Sequence, residues 1–237
     1  SAETQYESGK AQLDQKEQEL ADAEQVYLSN YSKYMPIITA GKEQITAEKS
    51  QIADGKKQLD EGLAPLNQLK DGLAGIEDEI SQCDSGISEL QKQINDGDTL
   101  YKEYTKISEP DRTPEQRVYL ESWSGVRQGL EAKLAGIQEQ KAQLEDKKKD
   151  LLVQMNKAGF ATEADLEAQI TSLTKQKADL DAKEKALLQQ EQTLAAQEEE
   201  LLSAGRQITD GKSQIAAARS QLDSTKSQIT DGKAQIL

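Results

Sequence analysis

The residue types that most often carry chemistry are scarce in this sequence. The 237 residues include no histidine, which removes the commonest general base and the commonest zinc ligand. The single cysteine, Cys83, therefore has no histidine partner for nucleophilic catalysis, and it falls three residues after Ile80 on an apolar face. We expect no catalytic site, no metal site and no cofactor, and we interpret Cys83 as a small buried side chain.

Acidic residues are abundant, but their arrangement is typical of exposed helix faces. The chain has 43 Asp and Glu against 29 Lys and Arg, a formal net charge of −14, and contains runs such as Glu198–Glu200. Such a chain is repelled by nucleic acid, which we exclude as a partner.

Residues 95–98, Asn-Asp-Gly-Asp, have the oxygen density of a weak calcium site but lack the spacing of a calcium-binding loop. We predict a turn there, with side chains that cap a helix.

One stretch concentrates residue types that bind protein partners. Aromatic residues and arginine are enriched at the energetic centres of interfaces. The stretch spans 27 residues, includes the only tryptophan, and contains Tyr101, Tyr104, Tyr119, Trp123 and Arg127. Two interpretations are open: these residues bind a partner, or they form a small core that holds the end of a helical hairpin together.

The elements that must position these side chains are long helices with an apolar residue at every seventh position. One series runs without a gap from Ile38 to Ile94, and another from Leu166 to Ile236. A period of seven is two turns of a slightly underwound helix, so each series forms a narrow seam that packs on a partner helix. The sequence predicts an all-α fold, a long antiparallel coiled-coil hairpin (a stalk) with an irregular helical tip.

Glycine recurs at positions three residues after the seam residues. Each glycine costs a helix roughly 1 kcal/mol relative to alanine, so its repetition on one face predicts close approach between antiparallel helices. The positions are Gly55, Gly62, Gly97, Gly211 and Gly232.

An earlier heptad series precedes the first seam and is out of phase with it. Tyr6, Leu13, Leu20, Tyr27 and Tyr34 are spaced by seven, and after Pro36 the pattern resumes at Ile38. That offset of four predicts a stutter, with a kink near Pro36. Tyr27 and Tyr34, with Tyr31, form a second aromatic group that we interpret as packing along the seam.

Two further breaks divide the chain into three parts. The heptads end near residue 98, and Thr113-Pro114-Glu115-Gln116 predicts a new helix with a capping box. Gly159 suits a left-handed helix end with Phe160 folded back, and Thr162 with Asp165 would start the last helix. We predict an ascending arm at 1–98, a tip region with a loop and a short helix at 99–160, and a descending arm at 161–237. We favour a chain reversal near 98–113, with Gly159 as a joint; a hairpin turn at Gly159 is the alternative.

A short repeat on both arms resembles a known style of membrane protein. Residues 207–215 read QITDGKSQI, residues 228–236 read QITDGKAQI, and residues 51–59 read QIADGKKQL. This D-G-K-x-Q-[IL] pattern resembles the extracellular coiled-coil insertions of FtsX-like ABC transporter permeases of Gram-positive bacteria. It is also similar to the ectodomain of the YhgE/Pip family.

The resemblance implies a non-catalytic stalk on the extracellular side of the cell membrane. By the same resemblance, transmembrane helices of the full-length chain would lie just outside both ends. A cytoplasmic ATPase subunit would act on the stalk indirectly, and a cell-envelope protein would bind at the tip. The alternatives are a surface receptor or scaffold of the YhgE/Pip kind, and a soluble coiled-coil spacer. Whether the chain forms a homodimer is left open, as is the transported substrate.

Overall fold

The computed structural model describes residues 2–234, and this part of the chain contains only helices and short turns. Helix α1 spans Ala2–Thr105, α2 spans Pro114–Lys157 and α3 spans Glu163–Ala234, with a short 3-10 turn at Glu109–Asp111. The predicted all-α fold is therefore confirmed. The last seam position, Ile236, and any continuation of the helices past the ends lie outside the described residues.

The start of α2 follows the capping box that the sequence predicts. The Thr113 hydroxyl accepts a hydrogen bond from the Gln116 backbone N–H at 3.3 Å, and the Gln116 side-chain oxygen accepts one from the Thr113 N–H at 3.0 Å. Pro114 occupies the first helical position, where a backbone N–H would have no acceptor within the helix, so its absence loses no hydrogen bond. The prediction for this helix start is confirmed.

The junction between α2 and α3 is built from local signals that the sequence also contains. Gly159 has φ +94°, and its N–H donates to the Asn156 carbonyl at 3.0 Å. The Phe160 N–H donates to the Met155 carbonyl at 3.1 Å, which completes a Schellman motif. Thr162 and Asp165 then exchange backbone and side-chain hydrogen bonds at 2.9 and 3.1 Å. Both predicted helix boundaries are confirmed.

Contacts divide the chain into two compact units. Unit 1 comprises Ser1–Lys56 with Asp179–Leu237, and unit 2 comprises Lys57–Ala178. Each unit contains part of the continuous helix α1 and the segments that pack on it.

In unit 2, residues 60–70 of α1 pack against the start of α3, and residues 77–84 of α1 pack against α2. Ion pairs join Glu77 to Lys148 and Asp84 to Lys141, so a rise of seven on α1 matches a fall of seven on α2. On α3 the pairs are Asp60–Lys177 and Lys70–Glu167, a rise of ten against a fall of ten. Both segments therefore run opposite to α1, and Gly159 is a joint between them.

The core of unit 2 lies at that joint. Leu73 of α1, Met155 of α2 and Leu166 of α3 are each no more than 2% exposed. Phe160 packs against this cluster, so the Schellman motif folds its apolar side chain onto buried surface. Cys83 is buried and free, as we expect for a small apolar side chain.

In unit 1, α1 and α3 also run in opposite directions. The core is formed by Ile45, Ile52 and Leu187. Flanking ion pairs repeat every seven residues on both helices: Lys42–Glu198, Lys49–Glu191 and Lys56–Glu184.

The register between α1 and α3 of unit 1 shifts by four residues, as the stutter predicts. Gly211 faces Leu20 and Gly41 faces Leu194, so α1 advances 21 residues (41 − 20) where α3 advances 17 (211 − 194). Helix α1 is nevertheless unbroken through Pro36 and Pro65.

Close approach at glycines is confirmed for some of the predicted positions. A Cβ atom added at Gly55 would lie 3.2 Å from a Leu180 methyl, and one added at Gly211 would lie 3.0 Å from a Leu20 methyl. At Gly232, no atom of the described residues lies within 4 Å of such a Cβ, so the predicted close approach is not seen there.

The prediction of a turn at residues 95–98 is wrong. Helix α1 continues for seven residues past Asp98 and ends at Thr105, and α2 is 44 residues long where a short helix was expected. The physical reason lies in α2: Trp123 packs directly against Gly97 and hydrogen-bonds Asp98. These two residues therefore accept a side chain from the neighbouring helix, and they do not break their own.

Candidate functional site

An aromatic cluster lies where α1 and α2 of unit 2 meet near the chain reversal. The ring of Tyr119 is edge-on to Tyr104, with centroids 5.5 Å apart at 84°. It stacks on Trp123, with centroids 5.6 Å apart at 9°. Both arrangements are favourable for aromatic pairs. We call Gly97, Asp98, Tyr104, Tyr119 and Trp123 the reversal cluster.

The polar atoms of the reversal cluster bond to one another across the two helices. The Tyr119 hydroxyl donates to the Gly97 carbonyl at 2.9 Å, and the Trp123 indole N–H donates to Asp98 at 2.9 Å. Arg127 adds an ion pair to Asp98 at 3.2 Å. Burial, with smaller contributions from Tyr104 and Asp98, raises the pKa of Tyr119, so its hydroxyl stays a hydrogen-bond donor.

Gly97 is the position that allows this packing. A Cβ atom there would overlap three carbons of the Trp123 ring. The Trp123 side chain is only 6% exposed, so the ring occupies space that any other residue at position 97 would fill.

The reversal itself is held by an arginine that caps the end of α1. The Arg112 Nε donates to the Ile107 carbonyl at 2.9 Å, and a terminal guanidinium nitrogen donates to the Thr105 carbonyl at 3.4 Å. A cation at a helix C-terminus also interacts favourably with the helix dipole. Ser108 donates to Asp111 across the same turn.

The structure brings together four of the five residues predicted for partner binding. Tyr104, Tyr119 and Trp123 contact each other, and Arg127 joins them through Asp98. These contacts match the interpretation in which the residues form a small core. Tyr101, at 38% exposed, makes no aromatic ring contact in the described part of the chain.

The surface beside the reversal cluster carries apolar side chains that the sequence analysis did not single out. Leu100 is 39% exposed, and Val118 and Val126 of α2 are 64% and 51% exposed. With Tyr101 and the half-exposed Arg127, they are side chains of this region that a partner could reach. The sequence gives little reason to assign these residues to a binding surface, because single exposed aliphatic residues are common on protein surfaces.

A second surface, in unit 1, was also missed. Tyr27 packs over Gly205, as its seam position predicts, but Tyr34 is 42% exposed and lines a groove between α1 and α3. The interpretation of Tyr34 as a packed seam residue is therefore wrong. The signal that could have found the groove is the four-residue offset between Tyr34 and Ile38.

Within residues 2–234, no group of three or more acidic, cysteine or histidine side chains is placed to hold a metal ion. Every buried side-chain nitrogen or oxygen in that range has a hydrogen-bond partner.

Comparison with protein families, with curated proteins and with solved structures gives no significant match to this chain. Among the described residues, no helix is both long enough and apolar enough to cross a membrane.

Proposed function

We propose that the chain is the non-catalytic extracellular stalk of an FtsX-like ABC permease, with the surface around the chain reversal presented to a cell-envelope partner. The stalk would transmit conformational change between the membrane and that partner. The D-G-K-x-Q-[IL] repeats of residues 51–59, 207–215 and 228–236 motivate the family. The fold supports a mechanical role because it is built from long helices.

One contact carries the proposal. Lys233, in the last turn of α3, forms an ion pair with Glu3, in the first turn of α1. The described residues nearest to the two ends of the chain therefore lie side by side in unit 1. A segment with adjacent ends fits between two neighbouring transmembrane helices, whereas a spacer that separates two partners needs its ends far apart.

A distance measurement tests this contact. Spin labels would be attached to cysteines introduced at Gln5 and Asp231, both exposed, in a Cys83→Ala background. Packed helix axes lie about 8–10 Å apart, so we expect one short distance at a concentration where light scattering shows a monomer. A long or broad distance would exclude the stalk and favour the soluble spacer.

The side of the membrane needs a separate experiment in the full-length protein. Val118→Cys in a Cys83→Ala background provides a thiol at an exposed position, and the wild-type Cys83 is the buried control. A membrane-impermeant maleimide should label the Val118→Cys variant in intact cells and leave the wild type unlabelled. Labelling only after lysis would contradict an extracellular location.

A receptor or scaffold of the YhgE/Pip kind is the second candidate. It predicts the same results as the permease stalk in the distance measurement and in the labelling experiment. The two differ in energy coupling. The permease requires a cytoplasmic ATPase that copurifies with the full-length chain, whereas the receptor does not.

A further inference from the structure

Unit 1 has an open apolar groove between α1 and α3. Its volume is about 650 Å³, within the range of binding sites for small molecules and peptide side chains. Apolar side chains form most of its wall: Val26, Tyr34 and Ile37 from α1, with Leu201, Ala204 and Ile208 from α3.

The α1 wall is a second apolar stripe, distinct from the seam that packs on α3. Val26, Asn30, Tyr34 and Ile37 follow a spacing of four, four and three residues, which places them on one helix face. Val26 and Ile37 are 61% and 60% exposed, whereas the adjacent seam residue Ile38 is 3% exposed.

The groove coincides with the register shift of unit 1. Between the contacts Leu20–Gly211 and Gly41–Leu194, α1 contributes four more residues than α3. Four residues are about 6 Å of helix, so one turn of α1 has no matching turn of α3 to cover it. The apolar stripe falls within the interval between these two contacts, where α3 has fewer residues to cover it, and Val26 and Ile37 stay exposed.

The surroundings of the groove are acidic. Residues 19–41 and 197–208 contain six acidic residues. Three of them pair with a base (Glu24 with Lys212, Glu198 with Lys42 and Glu199 with Arg206), which leaves Glu19, Asp22 and Glu200 without an ion pair among the described residues. Glu200 lines the groove, and it forms no ion pair within the described residues.

We propose that this groove binds a cationic amphipathic helix of a partner protein. Val26 and Ile37 are eleven residues apart, about 16 Å, which matches about three turns of a bound helix. The occupant's apolar face would cover the stripe, and its Lys or Arg side chains would meet the acidic rim. A second copy of this chain fits less well, because each copy has a net charge of −14.

A binding titration tests the proposal without knowledge of the natural partner. The probe is a Leu/Lys peptide of about 15 residues with leucines at helical i, i+3, i+4 and i+7 spacing. We expect binding of one peptide per chain by calorimetry, and weakening of at least tenfold in the variant Val26→Ser/Ile37→Ser. The matched control is Leu28→Ser/Leu188→Ser, which removes two exposed aliphatic residues outside the groove.

Charge and helicity are tested separately. Glu200→Gln should weaken the peptide's binding several-fold, whereas Glu139→Gln, an exposed acid of unit 2, should not. A peptide with Glu in place of Lys, and a peptide of the same composition with dispersed leucines, should bind at least tenfold more weakly.

Two outcomes would overturn the proposal. One is equal binding of the peptide to the groove variant and to its control, and the other is a concentration-dependent dimer of the chain that is lost in Val26→Ser/Ile37→Ser. These outcomes do not depend on the proposed stalk function, because they concern the isolated chain.

Discussion

Gly97 and Asp98 show how residues that favour turns can be held inside a helix. Glycine and aspartate both lower helix propensity, and their neighbours Asn95 and Asp96 do the same. Trp123 stabilises these residues in the helix, because its ring packs into the space left by the absent side chain of Gly97 and its N–H donates a hydrogen bond to the Asp98 carboxylate. The contact from another helix outweighs the local signal.

Replacement of Gly97 by alanine should therefore destabilise the protein. An exposed Gly→Ala change inside a helix normally stabilises by about 0.5–1 kcal/mol, but here the new methyl overlaps the Trp123 ring, a cost of about 1–3 kcal/mol. Gly75→Ala is the control, since a Cβ at Gly75 of the same helix meets no atom within 4 Å. In thermal melts we expect a lower melting temperature for Gly97→Ala and a higher one for Gly75→Ala. A rise for both would refute the packing at Gly97.

The ion pair between Lys70 and Glu167 predicts a pH dependence. The hydrogen bond and charge of Lys70 lower the pKa of Glu167. A carboxyl with a lowered folded-state pKa contributes stability above its unfolded-state pKa, and that contribution is lost as the pH falls through the lowered value. Lys70→Met should therefore lower the melting temperature at neutral pH and have less effect in acid.

Carboxyl NMR titration gives the direct measurement. The pKa of Glu167 should rise in Lys70→Met. Arg219 also lowers the pKa of Glu17, in unit 1, through a hydrogen bond, so that carboxyl should keep its lowered pKa in the variant. An unchanged Glu167 would mean that the pair does not form in solution.

At the scale of whole helices, the sequence predicts those boundaries that depend on neighbouring residues. The capping box of Thr113, the helix end at Gly159 and the Thr162–Asp165 start are local motifs, and all three were predictable. The continuation of α1 past Asp98 was not, because it depends on Trp123, which lies 25 residues further along the chain.

For the candidate surfaces, too, the residue types could be predicted from nearby sequence, whereas the contacts between helices could not. The aromatic residues of the reversal could be found from composition, but the packing of Trp123 on Gly97 needs the positions of both helices. The offset between Tyr34 and Ile38 indicates where the groove lies, but the groove's second wall depends on the position of α3, which the spacing on α1 does not contain.

The joint at Gly159 offers a prediction about backbone conformation. Its φ of +94° disfavours residues with a side chain, while a Cβ there would meet no atom of the described residues within 4 Å. Gly159→Ala should therefore destabilise by about 1–2 kcal/mol through the backbone alone. Gly159→Asn should cost less, because asparagine tolerates left-handed conformations better. Equal melting temperatures for the two variants would contradict this explanation.

Across the molecule, the charged residues flanking the seam help to define register. In unit 1, Lys42, Lys49 and Lys56 of α1 pair with acids of α3. Nearer the ends the signs are exchanged, and bases of α3 pair with acids of α1: Lys212–Glu24, Arg219–Glu17 and Lys233–Glu3. A large slip of one helix along the other would bring like charges together.

A double-mutant cycle at one pair measures this contribution. Lys49→Glu and Glu191→Lys should each lower the melting temperature, and the double variant should recover most of the loss. Because both side chains are partly exposed, at 30% and 42%, we expect a coupling energy of only about 0.2–1 kcal/mol. Additive losses in the double variant would show that the pair does not contribute to the register.

The ion pair between Glu3 and Lys233 also has a consequence for synthesis on the ribosome. Its partners are 230 residues apart, whereas Trp123 and Asp98 are separated by 25. At a translation rate of about 5–20 residues per second, roughly 10–50 s pass between the synthesis of Glu3 and the synthesis of Lys233. During that time the first seam of α1 emerges without the helix that will cover it. Nascent chains should therefore gain protease resistance around residues 98–123 first, and the earliest residues to be synthesised should be the last to be protected.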